Sequence, residues 1–290
     1  MTRQRWKELI AFVSIAVIGI AITGCSDKST SSESPYPDDI PGMFYSTNVQ
    51  DSFRIYISLP DNYNPTSQER YPTLYLLDGD WYLDGSHYRL GDGGVIGILK
   101  RLKDEGSAPD MILVGIGYEG TEQNSRWRDF LGYFPEFYDF LTEELIPAVD
   151  SRYKTSQSAG RYLLGHSDGG FCTIRSFLRN DLQSPPPFKG FVAVSGDYTK
   201  NGRVVFSEEY ALTQRMEANP KLDISLFMAV GSYEEDRFVF SNNELAATLS
   251  SRGYNNFKFQ YNLYIGTNHG TVIPPSFRDG LRFVLQDLVK

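Results

Sequence analysis

Residues 162–172 read YLLGHSDGGFC: the end of an apolar run, a Gly-His-Ser-Asp-Gly-Gly turn, and the start of a segment with helical spacing. The apolar run belongs to a strand candidate, GRYLLGHS, and the segment after the turn to a helix candidate, GGFCTIRSFLRN. A turn this tight between strand and helix crowds the residues flanking its tip, so Gly165 and Gly169 on either side of Ser167 meet its steric demand. Ser167 is then lifted off the C-terminal edge of the strand. The helix behind it presents N–H groups and a positive dipole end to an oxygen that gains charge. The stretch therefore reads as a nucleophile elbow.

Outward from the elbow the chain alternates between two patterns. SFRIYISLP (52–60) places Phe53, Ile55, Ile57 and Leu59 at period two, as a half-buried antiparallel strand would. YPTLYLLDG, MILVGIGY, GRYLLGHS, FKGFVAVSG, ISLFMAVGS and FKFQYNLYIG are nearly continuous apolar runs, the pattern of strands covered on both faces. Helix-like segments lie between or after them: VIGILKRLKDEG, FYDFLTEELIPAVDSRY, GGFCTIRSFLRN, YALTQRMEA, NNELAATLSSRG and SFRDGLRFVLQDLVK. This alternation predicts an α/β fold with a mostly parallel central sheet and helices on both faces. No internal repeat and no second domain are visible.

A serine hydroxyl needs a base, and the chain has three histidines. His166 sits in the elbow, its side chain expected to point away from the serine's side. His87 falls in the acidic loop DWYLDGSHYRLGDGG, where a surface or pocket-lining role is expected. His269, in TNHGT ahead of the last helix, is the one that follows everything else, as the chain order serine, acid, histidine demands of this architecture. The acid that orients it belongs just after the preceding strand, where ISLFMAVGSYEED offers Glu234, Glu235 and Asp236. Glu234, three residues past Gly231, is preferred, with Asp236 as the alternative. For the oxyanion hole, Asp168 offers its backbone N–H, and the loop after TLYLLDG offers that of Asp80 or Trp81.

Trp81, Tyr82, Tyr118, Trp127, Tyr198 and Tyr233 fall at or beyond the C-terminal ends of strands, the rim where such sheets bind ligands. Tyr118, Arg126, Trp127, Arg128, Tyr198 and Tyr233 are the expected substrate pocket. Arg89, Arg126 and Arg128 favour an anionic substrate, whereas Asp80, Asp168, Asp197 and Glu235 oppose one. No H-E-x-x-H and no Cys/His cluster with ligand spacing occurs, so no metal or cofactor is expected. GIGYEG (115–120) matches G-x-G-x-x-G but runs into polar TEQNSRWRD instead of a helix, which argues against a dinucleotide site.

At the N-terminus, Arg3, Arg5 and Lys7 precede the apolar stretch LIAFVSIAVIGIAI (9–22), which is short for a bilayer span and reads as an export signal. Ile22-Thr23-Gly24-Cys25 resembles the bacterial lipobox, which implies cleavage after residue 24 and a lipid on Cys25 holding the protein to a membrane outside the cytoplasm. Residues 25–40 are Ser-, Pro- and acid-rich and read as a flexible tether, leaving 41–290 as the folded domain. With Cys25 acylated, Cys172 is the single remaining thiol of the chain's two cysteines, so no intramolecular disulfide is expected. The formal net charge of −8 argues against a nucleic-acid partner.

The set FLTEELIPAVDSRY, GHSDGG, FVAVSGDY, VGSYEED and NHGTVIPPSFRDGLRFVL resembles an esterase family of α/β-hydrolases. That family spans esterase D-type enzymes, feruloyl esterases, ferric-siderophore esterases and mycolyltransferases. The likeness covers about residues 45–290, and WRDF (127–130) resembles the family's Arg-Asp segment after the fourth strand. It implies an α/β-hydrolase fold with Ser167 as nucleophile, His269 as base and an acid near Glu234. The activity implied is ester hydrolysis on a small molecule, with siderophore, aromatic or plant-wall esters as candidates. Acyl transfer by the same residues, and lipid-anchored ligand binding without catalysis, are the other readings. Two departures bear on the pocket: Asp168 stands where the family is commonly apolar, and SGDY (195–198) replaces a more usual Ser-x-Ser.

Overall fold

Strand-forming runs and helix-forming segments assemble, in a computed structural model describing residues 41–85, 93–118 and 126–289, into one eight-stranded sheet covered on both faces. The strands are β1 Gly42–Ser46, β2 Asp51–Ser58, β3 Thr73–Leu77, β4 Ile112–Gly117, β5 Arg161–His166, β6 Gly190–Val194, β7 Ser225–Gly231 and β8 Lys258–Tyr264. Their order is β1-β2-β4-β3-β5-β6-β7-β8. The first two pairings, β1 with β2 and β2 with β4, are antiparallel, and every pairing from β4 onward is parallel. This is the mostly parallel sheet with helices on both faces that the sequence patterns predict, and the α/β-hydrolase fold that the family resemblance implies.

Period-two alternation sends successive side chains to opposite layers. Along β3, Tyr75 and Leu77 enter one core while Leu74 and Leu76 enter the other. The second layer is built by α2 (Gly94–Asp104) and α8 (Ile273–Leu285), through Val95, Ile98, Phe277 and Leu281. The first is built by α3 (Phe134–Asp139), α4 (Ile146–Arg152), α5 (Asp168–Arg179), α6 (Lys200–Met216) and α7 (Asp236–Ser251). A single-turn helix, α1 (Gly79–Tyr82), follows β3 directly. The chain passes from β3 to β4 on one side and then to β5 on the other, so the strand order reverses beside β3, the position at whose C-terminal edge open α/β sheets bind ligands.

Several elements differ from expectation. β8 is the edge strand and is only half-buried, because no neighbour lies beyond it; its run FKFQYNLY alternates and is not covered on both faces. The helix expected over 137–153 is three pieces, with a wide π-helical stretch at Phe140–Leu145 between α3 and α4. Pro147, in the first turn of α4, has no N–H and clashes with a regular preceding turn, which accounts for the widening. α6 begins ten residues before YALTQRMEA, its backbone broken at Asn201, Gly202 and Arg203. β1 and α1 were not anticipated. Of GIGYEG, Gly115 and Gly117 lie inside β4 itself, not at a strand-to-helix turn, and 119–120 lie outside the described residues. So do the signal, tether and Cys25 positions, together with His87 and Arg89. No helix among the described residues is long and apolar enough to cross a membrane.

Candidate active site

Ser167 sits between β5 and α5 at φ 60°, ψ −121°, a backbone conformation that L-residues rarely hold. The turn is fixed by the Ser167 N–H donating to Val194 O and the Phe171 N–H donating to Ser167 O, both at 2.9 Å. A Cβ on Gly165 would lie 2.3 Å from Gly169 O, and one on Gly169 would lie 2.9 Å from the Asp78 carboxylate. Gly165 is therefore required by close backbone approach, and Gly169 by the buried Asp78 side chain packed against it.

Three side chains from three separate loops meet at the elbow. His269 Nε2 lies 3.0 Å from Ser167 Oγ, and His269 Nδ1 lies 2.5 Å from Glu234 Oε2. The other oxygen of Glu234, Oε1, accepts from Ser195 Oγ at 2.6 Å and from the Gly231 N–H at 2.7 Å. Glu234's carboxylate is wholly buried, whereas the His269 side chain keeps 40% of its exposure, so the chain of contacts runs from the interior to an open edge. Phe238 and His166 flank the His269 ring, with centroids 4.8 and 4.5 Å away. Asp236, the alternative acid, lies exposed in the first turn of α7, and Glu235 is exposed beside it.

A second, charged network underlies the site. Asp78, 1% exposed, receives a bidentate pair from Arg126, with Nε to Oδ1 at 2.5 Å and Nη2 to Oδ2 at 2.8 Å. Arg126 Nη1 also reaches Asp168 Oδ2 at 3.1 Å, and Lys200 Nζ pairs with the other oxygen of Asp168. Burial pushes the Asp78 carboxyl up and Arg126 opposes it, while the two carboxylates hold the Arg126 guanidinium above its ordinary value against the opposing cost of burial. The guanidinium carbon lies 5.0 Å from the centre of the Trp81 ring and 5.5 Å from that of Phe130.

The remaining site expectations divide. The Trp81 N–H donates to Asp78 O at 2.9 Å within the α1 turn, which corrects its assignment as an oxyanion donor: that hydrogen is committed to the turn. Asp80 lies one position nearer the start of α1, and Asp168 opens α5 immediately after Ser167. Tyr198 is fully buried, 6.4 Å from the Phe171 ring, so it is a core residue and not a pocket wall. Tyr82 is likewise buried, not on the rim. Arg128 turns toward the β1–β2 end, pairing with Asp129 and Asp51 and lying over Tyr133. Trp127 and Tyr233 are exposed, and Tyr118 is half-buried between Phe53 and Phe130. Asp78 and Ser195 were missed. Their one sequence signal is position, each being the first residue past an apolar strand.

The model of the family described as Putative esterase matches residues 46–270. The siderophore triacetylfusarinine C esterase of Aspergillus fumigatus is 22% identical over 225 residues, covering 69% of this chain and 71% of that protein. Among solved structures, the BES protein from Bacillus cereus matches with a TM-score of 0.70 at 25% identity, over 83% of this chain and 92% of that one. The siderophore hydrolase EstA from Aspergillus nidulans matches with a TM-score of 0.65 at 21% identity, over 82% and 91%. A family match spanning most of the chain, on a sheet whose C-terminal edge carries this elbow, makes the protein a carboxylic ester hydrolase that belongs to the Putative esterase family.

Proposed function

We propose that the hydrolase works through an acyl-enzyme on Ser167, with His269 as general base and Glu234 as the acid that orients it. The observation that carries this reading is the continuous path from Ser167 Oγ through both ring nitrogens of His269 to the buried Glu234. Ser167 Oγ attacks the ester carbonyl carbon as its proton passes to His269 Nε2. Glu234 accepts the Nδ1–H, holding the tautomer in which Nε2 carries the lone pair, and stabilises the imidazolium that forms. The backbone N–H groups of Asp168 and Asp80 take the oxyanion. Collapse breaks the bond to the alcohol, which leaves with the proton from His269. Water then cleaves the acyl-enzyme by the same steps.

The substrate we infer is an ester-linked siderophore, a reading supported by what the Aspergillus fumigatus relative acts on. Export and a lipid on Cys25 belong to the same proposal and rest on the N-terminal sequence. The test is hydrolysis of p-nitrophenyl acetate and butyrate by the full-length chain beside Ser167→Ala, with fluorophosphonate labelling mapped by mass. Labelling at Ser167 and turnover, both lost in the variant, are expected. A folded wild-type protein that neither labels nor turns over removes the serine mechanism. Turnover of an ester-linked siderophore, with free acid and not a transferred acyl group as product when an alcohol is added, tests substrate and reaction together. Loss of detergent-phase partitioning in Cys25→Ser tests the lipid.

A further inference from the structure

His166 ends β5 one residue before Ser167. Its parity along the strand is that of Tyr162 and Leu164, which enter the α2/α8 layer, so its ring leaves the serine's side and enters that layer. There it meets two groups from two other loops. His166 Nε2 lies 2.9 Å from the backbone carbonyl oxygen of His269, and Nδ1 lies 2.9 Å from the Tyr82 hydroxyl. A carbonyl oxygen only accepts, so Nε2 carries the hydrogen and donates it; Nδ1 then holds the lone pair and Tyr82 donates to it. The ring is 2% exposed, and burial, aided by Arg126 and His269, holds its pKa well below the ordinary value, in keeping with this neutral tautomer.

What the ring touches sets it apart from a packed core histidine. Tyr82 closes α1, the turn that contains Asp80. The residue whose carbonyl is held is the base itself. Other contacts brace its loop on either side: the Asn268 side chain accepts from Gly270 and Thr271, Val272 donates to Asn268 O, and Tyr233 donates to Thr267 O. None of these fixes the carbonyl of His269. We propose that His166 is a positioning residue that ties the His269 loop, the elbow and the α1 turn together, holding base, nucleophile and oxyanion donor in register. The proposal rests on the reading of Ser167 and His269 given above.

Its test compares Tyr82→Phe, His166→Gln and His166→Leu with wild type, as full-length chains, in p-nitrophenyl butyrate kinetics and in amide exchange of the peptide covering 266–272. Leu removes both bonds; a Gln amide N–H can still reach the carbonyl. The expected result is a fall in kcat of about 30- to 100-fold for His166→Leu with KM little changed, since a misplaced base lowers rate and not binding. His166→Gln should recover to within about fivefold of wild type, and exchange in 266–272 should quicken most in His166→Leu, less in Tyr82→Phe and not in His166→Gln. Wild-type kcat in folded His166→Leu, or Gln as impaired as Leu, overturns the proposal. If the Leu variant does not fold, Tyr82→Phe decides: a reduced kcat with faster loop exchange supports the tether, and neither change overturns it. Turnover surviving in Ser167→Ala would sink the nucleophile assignment instead, and the exchange comparison would still decide the tether.

Discussion

Glu234 shows how much chemistry one side chain draws from its neighbours. Three hydrogen bonds converge on its two oxygens, so its orientation toward His269 is held without freedom to rotate away. Glu234→Gln places an amide where a carboxylate accepted, which favours the wrong imidazole tautomer; a loss in kcat of about 10⁴-fold is expected, with Asp236→Asn near wild type. Ser195→Ala removes one of the two donors to Oε1, and about a tenfold loss in kcat/KM is expected in the same assay, the scale of one hydrogen bond to a charged group. His166 makes a separate prediction about stability. Its folded pKa is lowered, so below about pH 6.5 the unfolded chain binds a proton that the folded one refuses. Its contribution is fully present above that pH and is lost as pH falls, by up to about 1.4 kcal/mol per unit. Urea titrations at pH 7 and pH 5 should show this loss in wild type and a smaller one in His166→Gln.

At the scale of elements, the elbow works because β5 and α5 meet with no space between them. Ser167 is held in strained backbone geometry by ladder and helix bonds on either side, and the adjoining glycine positions admit no Cβ. In Gly165→Ala the new methyl would meet the backbone of Gly169, which cannot swing aside as a side chain could. A loss of about 3 kcal/mol or more in urea denaturation is expected, together with loss of fluorophosphonate labelling. The elements were legible where composition and periodicity agreed: the runs on β3 to β7 are apolar because neighbours cover both faces. They were not legible where a neighbour decides. β8 carries apolar residues yet stands at the edge, and the 137–153 helix widens around Pro147, features that depend on strand order and helix packing.

For the whole molecule, Arg126 is the residue that joins segments far apart in sequence. It lies on the segment after β4, yet it neutralises Asp78 at the end of β3 and Asp168 at the start of α5. Replacing it with Ala leaves the buried Asp78 without its partner, and a loss of about 3–5 kcal/mol is expected in thermal or urea unfolding. Asp78→Asn combined with Arg126→Gln should lose less than Arg126→Ala alone, because no uncompensated charge stays buried. Equal losses in both would show that the pair is not coupled through charge. Chain order and the reversal of strand order beside β3, where the strands themselves stay parallel, bring this network under the same edge that carries Ser167 and His269.

Local sequence was enough for the features that depend on local geometry. The elbow shows in its glycines and the parallel strands in their apolar runs, while the order of Ser167, Glu234 and His269 along the chain is what singles out the three side chains that meet there. The preference for Glu234 over Asp236 could be argued from its spacing past Gly231, but its three bonds became visible only once β6, β7 and the His269 loop were packed together. Tertiary structure alone decided that Tyr198 is core, that the Trp81 N–H is spent within its own turn, and that His166 faces the carbonyl of His269. The reason is physical: spacing reports which face of an element a residue occupies, whereas a hydrogen bond depends on which other element stands opposite that face.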